Sequence, residues 1–221
     1  AALLLKMALT DGDAQFGERF LVLSRNSFVL ASATAVIGVL LALLLGYGAR
    51  LSKSALSSGL NRLVGLGYAV PGSVIAVGVL IPVTRLDNWL AGQWEHWLGH
   101  NPGLLITGGI AALVYAYLVR FLAVALHTVE SSLSKITPNM DDAARSLGLG
   151  QGETLRRVHV PMLRGSLLTA GLLVFVDVMK ELPATLVMRP FNFDTLATQA
   201  YTLASDERLA EASTASLAIV V

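Results

Sequence analysis

Four apolar runs, each close to the length of a membrane-spanning helix, constrain this chain more than any other feature. They cover residues 28–47, 63–83, 104–126 and 165–188, and a fifth begins near residue 212. A helix needs about 20 apolar residues to cross the hydrocarbon core of a bilayer. Only 14% of the residues are charged, whereas soluble domains carry about 25%. The sequence therefore predicts an all-α integral membrane protein with about five transmembrane helices, the last of them truncated.

Residue types and motifs that the sequence lacks exclude several classes of site. It contains no cysteine, which excludes disulfides, thiolate metal sites and thiol nucleophiles. It has no G-x-x-x-x-G-K-[ST] phosphate loop, so we expect neither ATP binding nor enzymatic activity on this chain. The net charge of +1 disfavours nucleic acid as a partner. His96 and His100 could ligate a metal or be interfacial polar residues, and we expect no bound metal or cofactor.

The polar segment between the third and fourth runs predicts a helix, a turn and a second helix. Acidic residues suit the positive end of a helix dipole, glycine suits a left-handed helix stop, and proline ends a helix. The residues concerned are Thr137 or Asn139 as cap, Asp141 and Asp142 in the first turn, Gly148 and Gly150 at the stop, and Pro161 after the second helix. Ala143 and Ala144 leave a bare helix surface that another protein could approach closely. The segment is predicted to be a docking element.

The same residues resemble the EAA loop of binding-protein-dependent ABC importer permeases. Its pattern is matched by Asp142, Ala143, Ala144, Gly148, Val158, Val160 and Pro161. The departures are Asp for the usual Glu, and Val for the usual Ile and Leu. The resemblance implies that Asp142, Ala143, Ala144, Arg145, Gly148 and Pro161 couple the chain to an ATPase.

The resemblance also implies partners. They are two ATP-binding subunits carrying the ATP, a second permease half or subunit, a periplasmic or lipoprotein substrate-binding protein, and membrane lipid. Residues 1–221 are expected to form one transmembrane permease domain of a longer chain in a bacterial inner membrane. Residues 127–164 would be its cytoplasmic coupling loop.

Loop charge predicts the orientation. If 127–164 is cytoplasmic, then 50–62 is too, and the two loops hold eight basic and four acidic residues. The opposite side holds six basic and nine acidic residues. This modest excess of positive charge inside agrees with the motif. The outward loops 84–102 and 189–211 are then expected to receive the binding protein.

Proline, tryptophan and arginine mark three further features of the runs. Pro71 predicts a kink in the second run, either for close helix packing or as a wall of the translocation path. Trp89, Trp94 and Trp97 predict an interfacial belt within the 84–102 loop, which could include a short helix lying along the membrane. Arg120 is expected in the last turns of the third span, where it would snorkel to the interface or pair with an acid at the docking surface.

The fourth run carries three charges, Asp177, Lys180 and Glu181, that helical spacing would place on one face. A charge at the bilayer centre costs roughly 2.5–3.5 kcal/mol, so isolated charges are not expected there. The cluster could lock helices together. With Pro71, it could instead line a translocation path or gate. A proton-coupled secondary transporter using Asp177 and Glu181 remains an alternative.

Lys180 and Glu181 of this cluster, together with residues that follow it, resemble the corresponding segment of the ferric-iron (iron(III)) permease subfamily. They are 180–186, 189–191, 195–197, Tyr201 and 204–208. The resemblance implies iron(III) as the solute. Thiamine and other small solutes are the alternatives, because relatives in this branch handle them too.

Overall fold

The structure is a computed structural model that describes residues 4, 6, 17–52 and 54–220, and every element in these ranges is helical. In chain order the helices are α1 Glu18–Ser52, α2 Ala55–Leu66, α3 Gly72–Leu98, α4 Ile110–Leu133, α5 Pro138–Ser146, α6 Gln151–Thr154, α7 Val160–Met179, α8 Pro183–Met188, α9 Leu196–Ser205 and α10 Leu209–Val220. A 3-10 turn, Gly67–Ala69, follows α2, and a π-helical turn, Leu155–His159, joins α6 to α7.

Four of these segments are long and apolar enough to cross a membrane. They are α1, α3, α4 and the continuous helix Gln151–Met179, while α10 is a shorter apolar helix. The all-α membrane fold predicted from the sequence is therefore confirmed. Between the third and fourth spans lie one short helix, α5, and a turn, because the predicted second helix is the first part of the fourth span. Asp11, Asp13 and Lys53 contributed to the loop charges, but they lie outside the described residues.

Contacts divide the chain into two compact units. The first takes its residues from 1–33, 71–117 and 176–221. Its core includes Leu23 of α1, Leu196 of α9 and Ala215 of α10. In the same unit α3 packs against α8. The hydroxyl of Ser27 accepts a hydrogen bond of 2.9 Å from the backbone N–H of Leu196, so a buried polar group also fixes the start of α9 to α1.

The second unit takes its residues from 34–70 and 118–175. Small residues let its helices approach closely. A β-carbon at Gly46 would lie 3.2 Å from Leu133 Cδ1, and one at Gly67 would overlap the carbonyl oxygen of Val119. The backbone of the 3-10 turn thus contacts the backbone of α4 directly, the approach that small residues permit between membrane helices.

The apolar run 63–83 is not one kinked helix, as the sequence predicted, but is divided. Helix α2 ends at Leu66, and Pro71 is the residue before α3. The carbonyl of Pro71 accepts bonds from Val74 and Ile75 at 3.0 and 3.1 Å, so proline starts a new helix. A hydropathy pattern does not reveal this break, because the residues on both sides are apolar.

The predicted 84–102 loop is also wrong for most of its length. Helix α3 continues to Leu98, and Trp89, Trp94 and Trp97 are exposed on it. The third span begins later than predicted, at Ile110, and continues to Leu133. The apolar residues 104–109 are a loop because the buried Asp87 carboxylate binds their backbone. It accepts N–H bonds of 2.8–3.1 Å from Leu105, Ile106 and Thr107.

The fourth span differs from the prediction at both ends. Pro161 does not end a helix but lies within Gln151–Met179. The π turn explains this, because Val160 bonds to the carbonyl of Leu155, five residues back. The wider register accommodates a proline that has no N–H and would clash with a normal preceding turn. At the other end α7 stops at Met179, and Pro183 begins α8.

Candidate functional site

The candidate site is built on α5, which we call the docking helix. Pro138 occupies its first turn after Thr137, whose side chain makes no capping bond within the described residues. Gly148 follows the helix in the left-handed conformation, with φ of +81°. Its N–H bonds to Arg145 O at 2.9 Å, and that of Leu149 bonds to Ala144 O at 3.0 Å. These bonds satisfy the last carbonyls of the helix and set a sharp turn into α6.

One face of the docking helix is open to solvent. Asp142, Ala143 and Arg145 are exposed there. Asp142 and Arg145 form a surface ion pair of 3.6 Å, with side chains 67% and 75% exposed. Ala144 is buried, so the predicted bare surface of two alanines is provided by Ala143 alone. This follows from helix geometry, because successive side chains point about 100° apart.

The inward side of the docking helix is fixed by Asp141. Its Oδ2 accepts bonds from Arg50 Nε at 3.0 Å and Arg50 Nη2 at 2.7 Å. Its Oδ1 lies 2.6 Å from Nε2 of His159. The side chains of Arg50 and Asp141 are 19% and 21% exposed, and that of His159 is fully buried. We call these three residues the positioning triad.

Arg50 does more than pair with Asp141. It lies in the last turn of α1, and its Nη1 and Nη2 donate to the carbonyls of Leu133 and Ile136, both at 2.8 Å. The end of a helix leaves carbonyls without partners and carries a partial negative charge, and a cation stabilises both. One guanidinium therefore joins the end of α1, the end of α4 and the start of the docking helix.

His159 lies at the end of the π turn. Its ring lies 5.1 Å from the ring of Tyr47, centroid to centroid. The Tyr47 hydroxyl donates to the carbonyl of Gln151 at 3.0 Å. Nδ1 of His159 is buried and has no hydrogen-bond partner within the described residues. The imidazole is thus held by aromatic packing and by one strong polar contact, the one to Asp141.

The triad also fixes the charge of Asp141. Partial burial alone would raise the pKa of this carboxyl, but the hydrogen bonds from Arg50 and His159 outweigh it and hold the pKa below its ordinary value. Asp141 is therefore an anion at neutral pH. A cleft of about 750 Å³ opens beside it, lined by residues that include Tyr47, Arg50, Asp142, Arg145 and Gln151.

Sequence reasoning missed the triad. It noted Arg50 as a basic residue after the first span and Asp141 as a charge suited to a helix start, but paired neither. Arg50 and Asp141 are 91 positions apart, so periodicity could not connect them. The available signal was the doubled acid beside the motif, since Asp141 and Asp142 cannot both face the same partner.

Arg120 and Pro71, predicted separately, belong to one helix break. Nη1 of Arg120 donates to the carbonyl of Val70 at 2.8 Å, directly before Pro71. A broken membrane helix frees backbone carbonyls, and a cation supplies the missing donor. Arg120 lies near the middle of α4 and not in its last turns. Pro71 is exposed at the start of α3.

The three charges of the fourth run do not share one helix face. Asp177 is half-buried on α7, but the helix ends at Met179, and Lys180 is exposed beyond it. Glu181 is buried, and its Oε1 lies 3.3 Å from the N–H of Ala184, in the first turn of α8.

The backbone carbonyl of Glu181 also ends a buried chain of hydrogen bonds. It accepts a hydrogen bond of 2.5 Å from the Thr185 hydroxyl, and the Tyr117 hydroxyl lies 2.5 Å from that of Thr185. Because Thr185 has one hydroxyl proton, Tyr117 must donate to it. These contacts tie the start of α8 to α4 within the first unit.

The structure does not place His96 and His100 one helical turn apart. Helix α3 ends at Leu98, and Nε2 of His100 accepts from the indole of Trp94 at 3.3 Å. Among the described residues, no group of three potential ligands could hold a metal ion.

Comparisons with known proteins agree with this architecture. A Haemophilus influenzae protein named Fe(3+)-transport system permease protein FbpB 2 is 28% identical over 202 residues, 91% of this chain and 37% of that protein. A spermidine/putrescine transport system permease protein PotC homolog from Mycoplasma genitalium is 20% identical over 80% of this chain and 57% of its own length. The chain thus spans only about a third to just over half of these relatives.

A solved structure of a bacterial ABC transporter involved in alginate import has the same fold. It superimposes with a TM-score of 0.69 at 15% identity, over 98% of this chain and 82% of the other. The family model for the inner membrane component of binding-protein-dependent transport systems matches residues 29–221. The chain therefore belongs to the binding-protein-dependent transport system inner membrane component family, and its place is the inner membrane.

Proposed function

We propose that this chain is the permease subunit of an ATP-driven, binding-protein-dependent importer, and that its docking helix transmits motion from a cytoplasmic ATPase. The observation that carries the proposal is the two-sided docking helix. Its outer face presents Asp142, Ala143 and Arg145 to solvent, while Asp141 fixes its inner side to Arg50 and His159 of the same unit. A helix anchored on one face and open on the other suits contact with another subunit.

The residues of this helix have distinct roles in the proposal. Ala143 permits close approach because it has no side chain beyond Cβ, and the exposed Asp142–Arg145 pair can exchange partners with charges on the ATPase. Gly148 holds the turn into α6, and Pro161, with the π turn before it, sets the entry into α7. Nucleotide-driven closure of two ATP-binding subunits would move the helix and shift the spans between inward and outward access.

The partners follow from this role. Two ATP-binding subunits would hold the ATP. A second permease half or subunit would complete the path, and a periplasmic or lipoprotein substrate-binding protein would deliver the solute. Family membership disfavours the proton-coupled alternative based on Asp177 and Glu181, because transport in this family depends on a binding protein. Pro71, Asp177, Lys180 and Glu181 remain candidates for the path or gate.

We propose iron(III) as the solute. The support is the ferric-permease likeness of residues 180–208 together with the relative named for Fe(3+) transport. Another relative is named for spermidine and putrescine transport. Because the relatives differ in solute, iron(III) is proposed separately from the ATP-driven mechanism and is tested separately. Binding energy for the solute would reside mainly in the binding protein that delivers it.

The test is reconstitution in proteoliposomes with the cognate ATPase and binding protein. We expect copurification of the ATP-binding subunit, ATP hydrolysis stimulated by loaded binding protein, and ATP-dependent uptake of radiolabelled iron(III). Thiamine and spermidine, offered in parallel, should not be accumulated. Uptake driven by a proton gradient without ATP would overturn the mechanism. ATP-driven uptake of thiamine or spermidine but not iron would overturn only the solute.

A further inference from the structure

We infer that Asp141 is a positioning residue for transport, and that the triad Arg50–Asp141–His159 determines how much ATPase motion reaches the membrane spans. This inference rests on the proposed function and adds residues that the motif does not contain. The motif's acid, Asp142, is exposed on the outer face. Its neighbour Asp141 faces inward and connects the docking helix to the rest of the second unit.

The geometry makes Asp141 a three-way junction. One carboxylate oxygen binds Arg50 at the end of α1, and the other contacts His159 at the start of the fourth span. Arg50 also binds the carbonyls of Leu133 and Ile136, which precede the docking helix. A displacement of α5 is therefore passed to α1 and α7 through short charge-assisted bonds, the strongest kind of hydrogen bond in proteins.

The chain turns on either side of α5, at residues 134–136 before the helix and at residues 147–150 after it. Without the triad, α5 could rotate about these turns while the spans stayed in place. With it, rotation of α5 must move Arg50 and His159 or break their bonds to Asp141.

Burial separates this junction from an ordinary surface pair. Arg50 and Asp141 are about one-fifth exposed, and His159 is fully buried, whereas the Asp142–Arg145 and Glu153–Arg157 pairs are more than half exposed. Exposed ion pairs contribute little to stability because water screens them and their side chains are mobile. The triad is shielded from water in comparison. Two of its members, Arg50 and His159, lie in α1 and in the continuous helix Gln151–Met179, which are the spans that would move during transport.

The experiment is a double-mutant cycle on the reconstituted complex, using Asp141→Asn, Arg50→Gln and the double variant. The quantity measured is solute transported per ATP hydrolysed, together with complex yield and melting temperature. Mutations in a coupling network change coupling by roughly 2- to 30-fold. We expect each single variant to lower the ratio about tenfold, and the double variant to be no worse than the poorer single one, because all three break the same junction.

Glu153→Gln is the matched control. It neutralises a carboxylate of the same cytoplasmic segment that pairs with Arg157 on the surface, and its ratio should equal that of the wild type. Asp141→Glu is the second variant to measure if Asp141→Asn does not yield an assembled complex. It keeps the charge but lengthens the side chain by one methylene, and we expect an assembled complex with a lowered ratio.

Two results would overturn the inference. One is an unchanged ratio, within about twofold, in assembled Asp141 variants. The other is a parallel loss of transport, ATP hydrolysis and complex yield, which a purely structural role of Asp141 would produce. Failure of the proposed function would look different, because the wild-type complex would then show no ATP-driven transport at all.

Discussion

Gly67→Ala tests the close contact between the 3-10 turn and α4. Gly67 has φ of −57° and ψ of −37°, which alanine adopts without strain. Its new β-carbon would overlap the carbonyl oxygen of Val119 and lie 3.2 Å from the carbonyl carbon. The obstacle is backbone, which cannot turn away as a side chain could. Overpacking costs about 1–3 kcal/mol, and a rigid obstacle places this substitution near the upper limit.

The net loss of stability should be smaller than the clash alone. Replacing glycine stabilises by about 0.4–1 kcal/mol through the unfolded chain, which leaves a loss of about 2 kcal/mol. At about 2–4 °C per kcal/mol for a chain of this size, the melting temperature should fall by about 4–8 °C.

The assay is thermal unfolding of the purified protein in detergent, with Gly59→Ala as the matched control. Gly59 lies inside α2, and a β-carbon there meets nothing within 4 Å. Alanine at that position should stabilise the protein by about 0.5–1 kcal/mol, because it removes the helix penalty of glycine. The reasoning is refuted if both variants shift the melting temperature in the same direction, or if Gly67→Ala leaves it unchanged.

Three further predictions concern the docking helix and the α3–α4 loop. Gly148→Val meets no steric obstacle but places a β-branched residue at φ of +81°, in the left-handed region, which costs about 1–2 kcal/mol. Binding-protein-stimulated ATP hydrolysis and uptake should therefore be lost from an assembled complex. Retained uptake would contradict this prediction. Because the pKa of folded Asp141 is below its unfolded value, its stabilising effect is complete above that unfolded value, about 4, and is lost as the pH falls through the lower folded pKa. The stability difference between wild type and Asp141→Asn should therefore shrink from pH 5 towards pH 3, and a difference that grows would oppose the assignment. Asp87→Ala removes the acceptor of the Leu105–Thr107 amides, so hydrogen exchange of these amides should accelerate, whereas unchanged exchange would show that the loop does not depend on the carboxylate.

The sequence predicted an all-α membrane protein correctly, because the thickness of the bilayer sets the length of an apolar run that spans it as a helix. Such runs are visible in the hydropathy of the sequence. It did not predict where helices begin and end. At Pro71 the chain is apolar, but one helix ends before the proline and the proline begins the next. At 104–109 the chain is also apolar, but the buried Asp87 carboxylate binds its backbone N–H groups and holds it in a loop. At Pro161 the opposite error occurred, because a π turn lets the helix continue through a proline.

The docking helix was predictable for a different reason. Its turn depends on local chemistry, and the left-handed Gly148 was confirmed. The junction beneath it was not predictable, because Arg50, Asp141 and His159 come together only through tertiary packing. The prediction that Ala143 and Ala144 both face solvent was wrong for the same reason. Ala144 is buried, and its burial depends on what packs beneath the helix.

The most direct test of the proposed contact with the ATPase is site-specific photo-cross-linking from the docking helix. The chain has no cysteine, so Ala143→Cys and Ala144→Cys can each carry a single maleimide–benzophenone probe. Ala143 is exposed and Ala144 is buried. We predict that the probe at position 143 cross-links to the ATP-binding subunit in a nucleotide-dependent manner, and that the cysteine at position 144 is labelled poorly. Equal cross-linking from both positions, or none from position 143 in an ATP-hydrolysing complex, would contradict it.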